Sequence, residues 1–224
     1  MKSNIFKEKN ALTNDSYYWF VLNNAPEKLI SRQEINYYKN KSHFISKKKY
    51  FFFTRSYVRD ALSKLFNIDP LEIPLNCPPG CAPKLRDRWG HLSFSHCKDA
   101  FFFSWSKNPI GVDIERNDRN FNAQNIANRF FFKSEKNKIL LFDNEIQRSE
   151  VLKLWVLKEA SLKLKKLKIS NDLRNIEIIN SNQIAWNRNT NKINYISHIT
   201  FKEWDIGIAS NNPIDKNKTI ICKY

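Results

Sequence analysis

The chain has 224 residues, 42% hydrophobic and 14% aromatic, with 38 Lys and Arg against 22 Asp and Glu for a formal net charge of +16. This length and apolar content suit one packed domain or two small ones and exclude a disordered chain. No apolar run approaches the roughly 20 residues of a bilayer crossing, so no membrane partner is expected. By itself, the charge favours anionic partners: nucleic acid, acidic protein, a phosphorylated cofactor or a membrane surface. Its densest cluster is Lys39, Lys41, Lys47, Lys48, Lys49, Arg55 and Arg59, with no acid from Ile35 to Val58. Met1–Asn10 is polar and lacks an apolar signal core, so a cytoplasmic location is expected.

Residues 14 to 25 hold the apolar run Tyr17–Leu22, which suits a buried strand. Pro26–Lys41 is polar and helix-like. From Lys48 to Phe66 apolar residues recur every three or four positions, which predicts an amphipathic helix ended by Asn67 and Pro70. Pro74, Pro78, Pro79, Gly80 and Pro83 make an irregular loop. Cys77, Cys81, His91 and His96 fall within reach of a zinc-ligand pattern. His91–His96 alternates like a strand, however, and that spacing sends the two imidazoles to opposite faces.

Strands follow at Leu92–Ser95, Ala100–Trp105 and Ile110–Glu115, which predict an antiparallel meander. Residues 116 to 120 are polar and read as a link between two halves. Ala123–Phe132 is helix-like, Ser134 and Glu135 open a loop or helix, and Ser149–Lys168 gives the strongest helical pattern, with Asn171 near its end. Short strands are expected at 176–178, 193–199, 201–208 and 219–222. Together these elements predict an α+β fold with two similar halves, each a small antiparallel sheet packed with helices. No sequence repeat proves the duplication.

On the strand Gly111–Glu115, period 2 puts Asp113 and Glu115 on one face and Val112 and Ile114 on the other. On the helix, Trp155, Glu159 and Lys163 are spaced i, i+4, i+8 and share a face. Taken alone, the first pair is the ordinary wet face of an edge strand and Glu159 with Lys163 an ordinary helix ion pair. If the two faces meet, three carboxylates converge, and hard oxygen ligands of that kind select Mg²⁺, which completes its shell with phosphates and water.

Four segments carry a resemblance: Ser93-Phe94-Ser95-His96, Pro109-Ile110-Gly111-Val112-Asp113-Ile114-Glu115, Arg129-Phe130-Phe131, and Leu154-Trp155-x-x-Lys158-Glu159-Ala160-x-x-Lys163. In order and spacing they resemble the 4'-phosphopantetheinyl transferases of the longer surfactin-synthetase-activating type. The likeness is clear from about Gly80 to Lys168, weak before Lys48 and absent after Ile169.

The resemblance implies a pseudo-dimer with its site in the cleft between halves 1–115 and 116–224. It implies holo-acyl-carrier-protein synthase activity: transfer of the phosphopantetheine arm of coenzyme A to a serine of an apo carrier protein, releasing adenosine 3',5'-bisphosphate. Asp113, Glu115 and Glu159 would then hold Mg²⁺, with Mn²⁺ as an alternative. Glu159 or metal-bound water would take the serine proton, and Lys158 and Lys163 would neutralise phosphate oxygens. Ser95, His96, Lys84 and Arg55 would contact coenzyme A phosphates. An acidic carrier protein would be steered by the basic surface, and a monomer is expected because the two halves supply both sides of the cleft. The competing readings are a basic nucleic-acid-binding module built on the Lys39–Arg59 cluster and a silent scaffold for an acidic protein. Cys97 after His96 and Lys136 after Glu135 depart from the family's usual residues.

Overall fold

The structure is a computed structural model describing residues 15–22, 29–37, 45–167, 172–181, 183–215 and 221–223, with backbone alone at 45–47 and 221–223. Lys39, Lys41, both ends of the expected helix at Pro26–Lys41 and the expected helix end at Lys168–Asn171 lie outside the described residues. So do the side chains of Lys47 and Cys222.

Strand β1 (Ser16–Leu22) sends Trp19 and Val21 to one side and Tyr18 and Phe20 to the other, all buried. Helix α1 (Arg32–Asn36) is short and closed by a capping box from Ser31 and Glu34. Helix α2 (Ile45–Phe66) presents Phe53, Tyr57, Val58, Ala61 and Leu62 to Trp19 and Val21. Two short strands, β2 (Leu75–Asn76) and β3 (Lys84–Leu85), flank the proline loop. The hairpin β4 (His91–His96) and β5 (Ala100–Ser106) follows, then β6 (Ile110–Arg116). Helices α3 (Ala123–Phe130) and α4 (Lys133–Ile139) precede the long α5 (Asn144–Lys165). The chain ends in β7 (Ile176–Ile179), β8 (Ile184–Asn187), β9 (Lys192–Phe201), β10 (Trp204–Ser210) and β11 (Ile221–Lys223).

The strands form two main sheets, β11-β1-β5-β4 and β6-β10-β9-β8-β7, plus the small β2-β3 pair. The expected meander therefore stops at β5. Both edges of β5 are already taken, by β1 and β4. The Lys107-Asn108-Pro109 turn carries the chain across to the second sheet, where β6 pairs with β10 from Ile110↔Ser210 to Arg116↔Trp204. The division between the sheets thus falls before β6, not at the expected boundary between 115 and 116. The last strand, β11, returns to pair in parallel with β1.

The two sheets repeat one plan. Each opens with a seven-residue strand (β1, β6), passes through a 22-residue helix (α2, α5) and two short strands (β2–β3, β7–β8), and ends in a hairpin (β4–β5, β9–β10). In each, the last strand pairs antiparallel with the opening one along its whole length. The sheets pack face to face through Tyr18, Phe20 and Phe102 on one side and Val112, Ile114, Ile206 and Ile208 on the other. Helix α2 covers the outer face of the first sheet and α5 that of the second, giving α-β-β-α layers.

Candidate active site

The site is built where β6, α5 and β4 meet. Val112 and Ile114 are drawn into the core between the sheets, and alternation turns Asp113 and Glu115 to the opposite side, under α5. The helix lies unusually close to β6 and β10 because each strand offers a glycine. A Cβ on Gly111 would collide with Ala160 O and sit 2.5 Å from Leu164 N; one on Gly207 would collide with Val156 O and sit 2.5 Å from the Val156 carbonyl carbon. Close backbone approach is the reason for glycine at both strand positions. It brings Glu159 and Lys163 down onto Asp113.

Asp113 is 2% exposed. Its Oδ1 accepts from Ser95 Oγ at 2.6 Å and from Lys163 Nζ at 2.6 Å. Its Oδ2 is buried and has no hydrogen-bond partner. Lys163 Nζ also stands 3.9 Å from Glu159. Burial, reinforced by the charge of Asp113, pushes the Glu159 carboxyl up to about 8 against the pull of Lys163. The Glu115 carboxyl is raised by burial, opposed by Arg119, whose guanidinium pairs with it at 2.6 Å.

Beside these groups opens a cleft of about 940 Å³. Its wall includes Lys84, Arg86, Arg88, Lys107, Lys163 and Lys166, with Asp87 as the single acid in its lining. Phe66, Phe94 and Trp105 also line it. Lys163 belongs both to this wall and to the carboxylate group, so it is the side chain that links the cleft to the acids. A lining that combines cations with aromatic rings suits a phosphorylated ligand with a ring.

Residues 109–215 match the model of the 4'-phosphopantetheinyl transferase superfamily. That segment, just under half of the chain, is similar to the superfamily. It is 30% identical over 109 residues to the 4'-phosphopantetheinyl transferase Sfp of Bacillus subtilis (strain 168), covering 47% of each chain. It is 28% identical over 109 residues to the 4'-phosphopantetheinyl transferase ffp of Bacillus subtilis, again covering 47% of each. The aligned part thus spans about half the length of these curated relatives. The crystal structure of Thermotoga maritima holo-acyl-carrier-protein synthase aligns with 45% of this chain and 61% of its own, at 17% identity and a TM-score of 0.35. The sequence likeness from Gly80 to Lys168 is therefore only partly the matched region, which begins later and continues through β10.

For a phosphopantetheinyl transferase, a divalent cation is the expected occupant of the carboxylate group, and the residues fit one. Hard oxygens from β6 and α5 face one another, one of them is buried without a partner, and burial together with the charge of Asp113 raises the Glu159 carboxyl, a cost that a cation would offset. Among the described residues, no three acidic, imidazole or thiol groups are already drawn round one point. Lys163 lies on Asp113 and Arg119 holds Glu115, so the third expected ligand, Glu115, is turned to a cation of the protein itself.

Two expected phosphate contacts have other partners. Lys158 lies on a different face of α5 from Glu159 and is fully buried, paired with Glu135 at 2.7 Å and donating to Ile176 O. One residue along a helix turns the side chain by about 100°, which takes Lys158 away from the cleft. Arg55 is buried, donating to Cys77 O and Sγ, each at 2.9 Å, with its guanidinium 3.8 Å from the centre of the Phe51 ring. Cys77 is thereby committed to Arg55 rather than to a zinc set. His96 closes β4 and packs on the Tyr50 ring, centroids 4.8 Å apart. The expected basic surface cluster is likewise interrupted: Arg59 is buried in a pair with Glu34 at 3.1 Å, leaving Lys48 and Lys49 exposed. A continuous nucleic-acid stripe does not form from Arg55 and Arg59.

Of the cations lining the cleft, the sequence reading named Lys84 and Lys163 and did not name Arg86, Arg88, Lys107 and Lys166. The signal was present: Lys84-Leu85-Arg86-Asp87-Arg88 directly follows the glycine–proline loop, and Lys166 lies one turn beyond Lys163. It also missed Gly111 and Gly207 as the reason α5 reaches the strand.

Proposed function

We propose that this protein transfers the 4'-phosphopantetheine arm of coenzyme A to a serine of an apo acyl or peptidyl carrier protein, releasing adenosine 3',5'-bisphosphate. The observation that carries this reading is the joining of Asp113, Glu159 and Lys163 to a basic cleft within the segment that matches the transferase superfamily. The holo-acyl-carrier-protein synthase activity and the monomeric state expected from the resemblance, and the cytoplasmic location expected from the sequence, are part of the same proposal.

The cleft residues Lys84, Arg86, Arg88 and Lys166 bind the bisphosphate end of coenzyme A, and the aromatic rings of the lining receive its base. Lys163 meets the pyrophosphate at the inner end of the cleft and neutralises charge on its oxygens. Asp113 and Glu159 would hold Mg²⁺, with Glu115 as a further ligand if it were freed from Arg119. When bound, Mg²⁺ acts as a Lewis acid toward the pyrophosphate and offsets the charge of the leaving group. The carrier serine oxygen forms a bond to the β-phosphorus, the bond from that phosphorus to the bridging oxygen breaks, and the bisphosphate leaves with the electron pair. The serine proton passes to the Glu159 carboxylate. Positioning and charge neutralisation supply most of the rate in such transfers.

Incubation with coenzyme A, Mg²⁺ and an apo carrier protein, read by mass spectrometry, should show one pantetheine adduct on serine. Chelation of the metal should abolish it, and Asp113→Ala should lower the rate at least about 100-fold while the variant stays folded by circular dichroism. Full activity of that variant would sink the metal assignment.

A further inference from the structure

The resemblance places Ser95 among the coenzyme A contacts, but the side chain is turned elsewhere. We infer that Ser95 is a positioning residue for Asp113: it fixes Oδ1 so that Oδ2 is presented to the cation, and it does not bind substrate phosphate. This rests on the transferase reading given above.

The geometry begins with β4. Leu92 and Phe94 point toward α2, so alternation sends Ser93 and Ser95 toward the second sheet. There they meet β6, the edge strand of the other sheet. Ser93 Oγ accepts from Val112 N at 3.0 Å, and Ser95 Oγ donates to Asp113 Oδ1 at 2.6 Å. Both serines are buried, at 5% and 7% exposure. β4 and β6 belong to different sheets with no strand register between them, so these two hydroxyls are side-chain staples across the seam.

A serine hydroxyl has one proton to donate. Ser95 spends it on a buried carboxylate, the stronger acceptor, in a charge-assisted bond. Its partner oxygen is also held by Lys163, so a hydroxyl and an ammonium converge on Oδ1 while no hydroxyl, amide or ammonium reaches Oδ2. The asymmetry matters because a carboxylate that accepts on one oxygen is oriented while its other oxygen is left for a cation. Outer-shell hydrogen bonds of this kind change metal affinity by about 10–100-fold when removed. Ser93 acts beside it on the backbone, and Gly111 lets α5 press β6 from the far side. Asp113 is therefore held from three directions.

The test separates metal from substrate. Mn²⁺ binding to the coenzyme-free protein is measured by titration calorimetry, and adenosine 3',5'-bisphosphate binding is measured separately in chelator. Ser95→Ala should weaken Mn²⁺ about tenfold or more and leave metal-free bisphosphate binding within about twofold. Ser95→Thr, which retains the hydroxyl, should recover most of the metal affinity. Unchanged Mn²⁺ affinity in Ser95→Ala, or a loss of bisphosphate affinity without metal, would overturn the inference. Failure of the transferase reading has a different signature: the unsubstituted protein would itself bind no bisphosphate.

Discussion

Two residues one position apart on α5 have opposite fates, and both lend themselves to measurement. Glu159 faces Asp113, and its carboxyl is raised from an ordinary value near 4.5 to about 8. In the metal-free protein between these values, the folded state keeps a proton that the unfolded state has released. Stability is then greatest below about 4.5 and falls as pH rises through about 8. Midpoints of thermal unfolding in chelator should decline across that window. Mg²⁺ should flatten the decline, and Glu159→Gln should remove most of it; a midpoint that rises with pH in the chelated protein would contradict the arrangement. Lys158, by contrast, is fully enclosed with Glu135, and burial lowers the affinity of its amine for a proton. Glu135 also accepts from Phe132 N and Ile178 N. Lys158→Met should leave that carboxylate charged and unpaired, costing about 3–5 kcal/mol by urea unfolding. Adding Glu135→Gln should recover part of the loss. Bisphosphate affinity should change less than twofold, since the ammonium faces away from the cleft. The Trp-x-x-Lys-Glu-Ala-x-x-Lys pattern contains no mark that separates the two roles; a buried acid on α4 decides it.

At the level of elements, the strand carrying the acids was legible and its pairing was not. Alternation in Ile110–Glu115 correctly gave the strand and the common face of Asp113 and Glu115. The pattern of long α5 was equally plain, though its start lies earlier, at Asn144, where Asp143 caps it by accepting from Glu145 N and Ile146 N. Which strand β6 would join depended on β1 occupying the free edge of β5, from Leu22↔Ala100 to Ser16↔Ser106, a contact far apart in sequence that no local pattern encodes. The short strands β2, β3 and β8 were missed because two to four residues carry too little periodicity. The glycines of β6 and β10 supply a direct test of how α5 is seated. Gly111→Ala puts a methyl against backbone atoms of Ala160 and Leu164, which cannot swing aside as a side chain would. The helix must lift, costing at least about 1–3 kcal/mol in overpacking. The same shift draws Lys163 and Glu159 away from Asp113. The expected result is a lower unfolding midpoint together with a loss of Mn²⁺ affinity. An alanine variant with both properties intact would mean that the close approach does not set the site.

On the scale of the whole molecule, the segment that matches the superfamily model is not a folding unit by itself. Residues 109–215 contain the entire second sheet and α5, yet one face of that sheet is covered by the first sheet. Trp204 meets Phe20 edge to face at a centroid distance of 5.0 Å, and Val112, Ile114, Ile206 and Ile208 are at most 1% exposed only because Phe20 and Phe102 lie over them. A contiguous apolar face of this kind drives association when uncovered. Excision also removes Ser93 and Ser95, so β6 would lose both seam hydrogen bonds at the strand that carries Asp113. The return of β11 to β1 ties the same two halves from the other end of the chain. The isolated segment 109–215 should therefore elute from gel filtration as oligomer or aggregate and bind Mn²⁺ weakly. Adding the first half as a separate chain should restore a one-to-one complex if the face is intact. A monodisperse segment with full metal affinity would show that the acids need nothing from β4, and the seam between the sheets would then be packing alone.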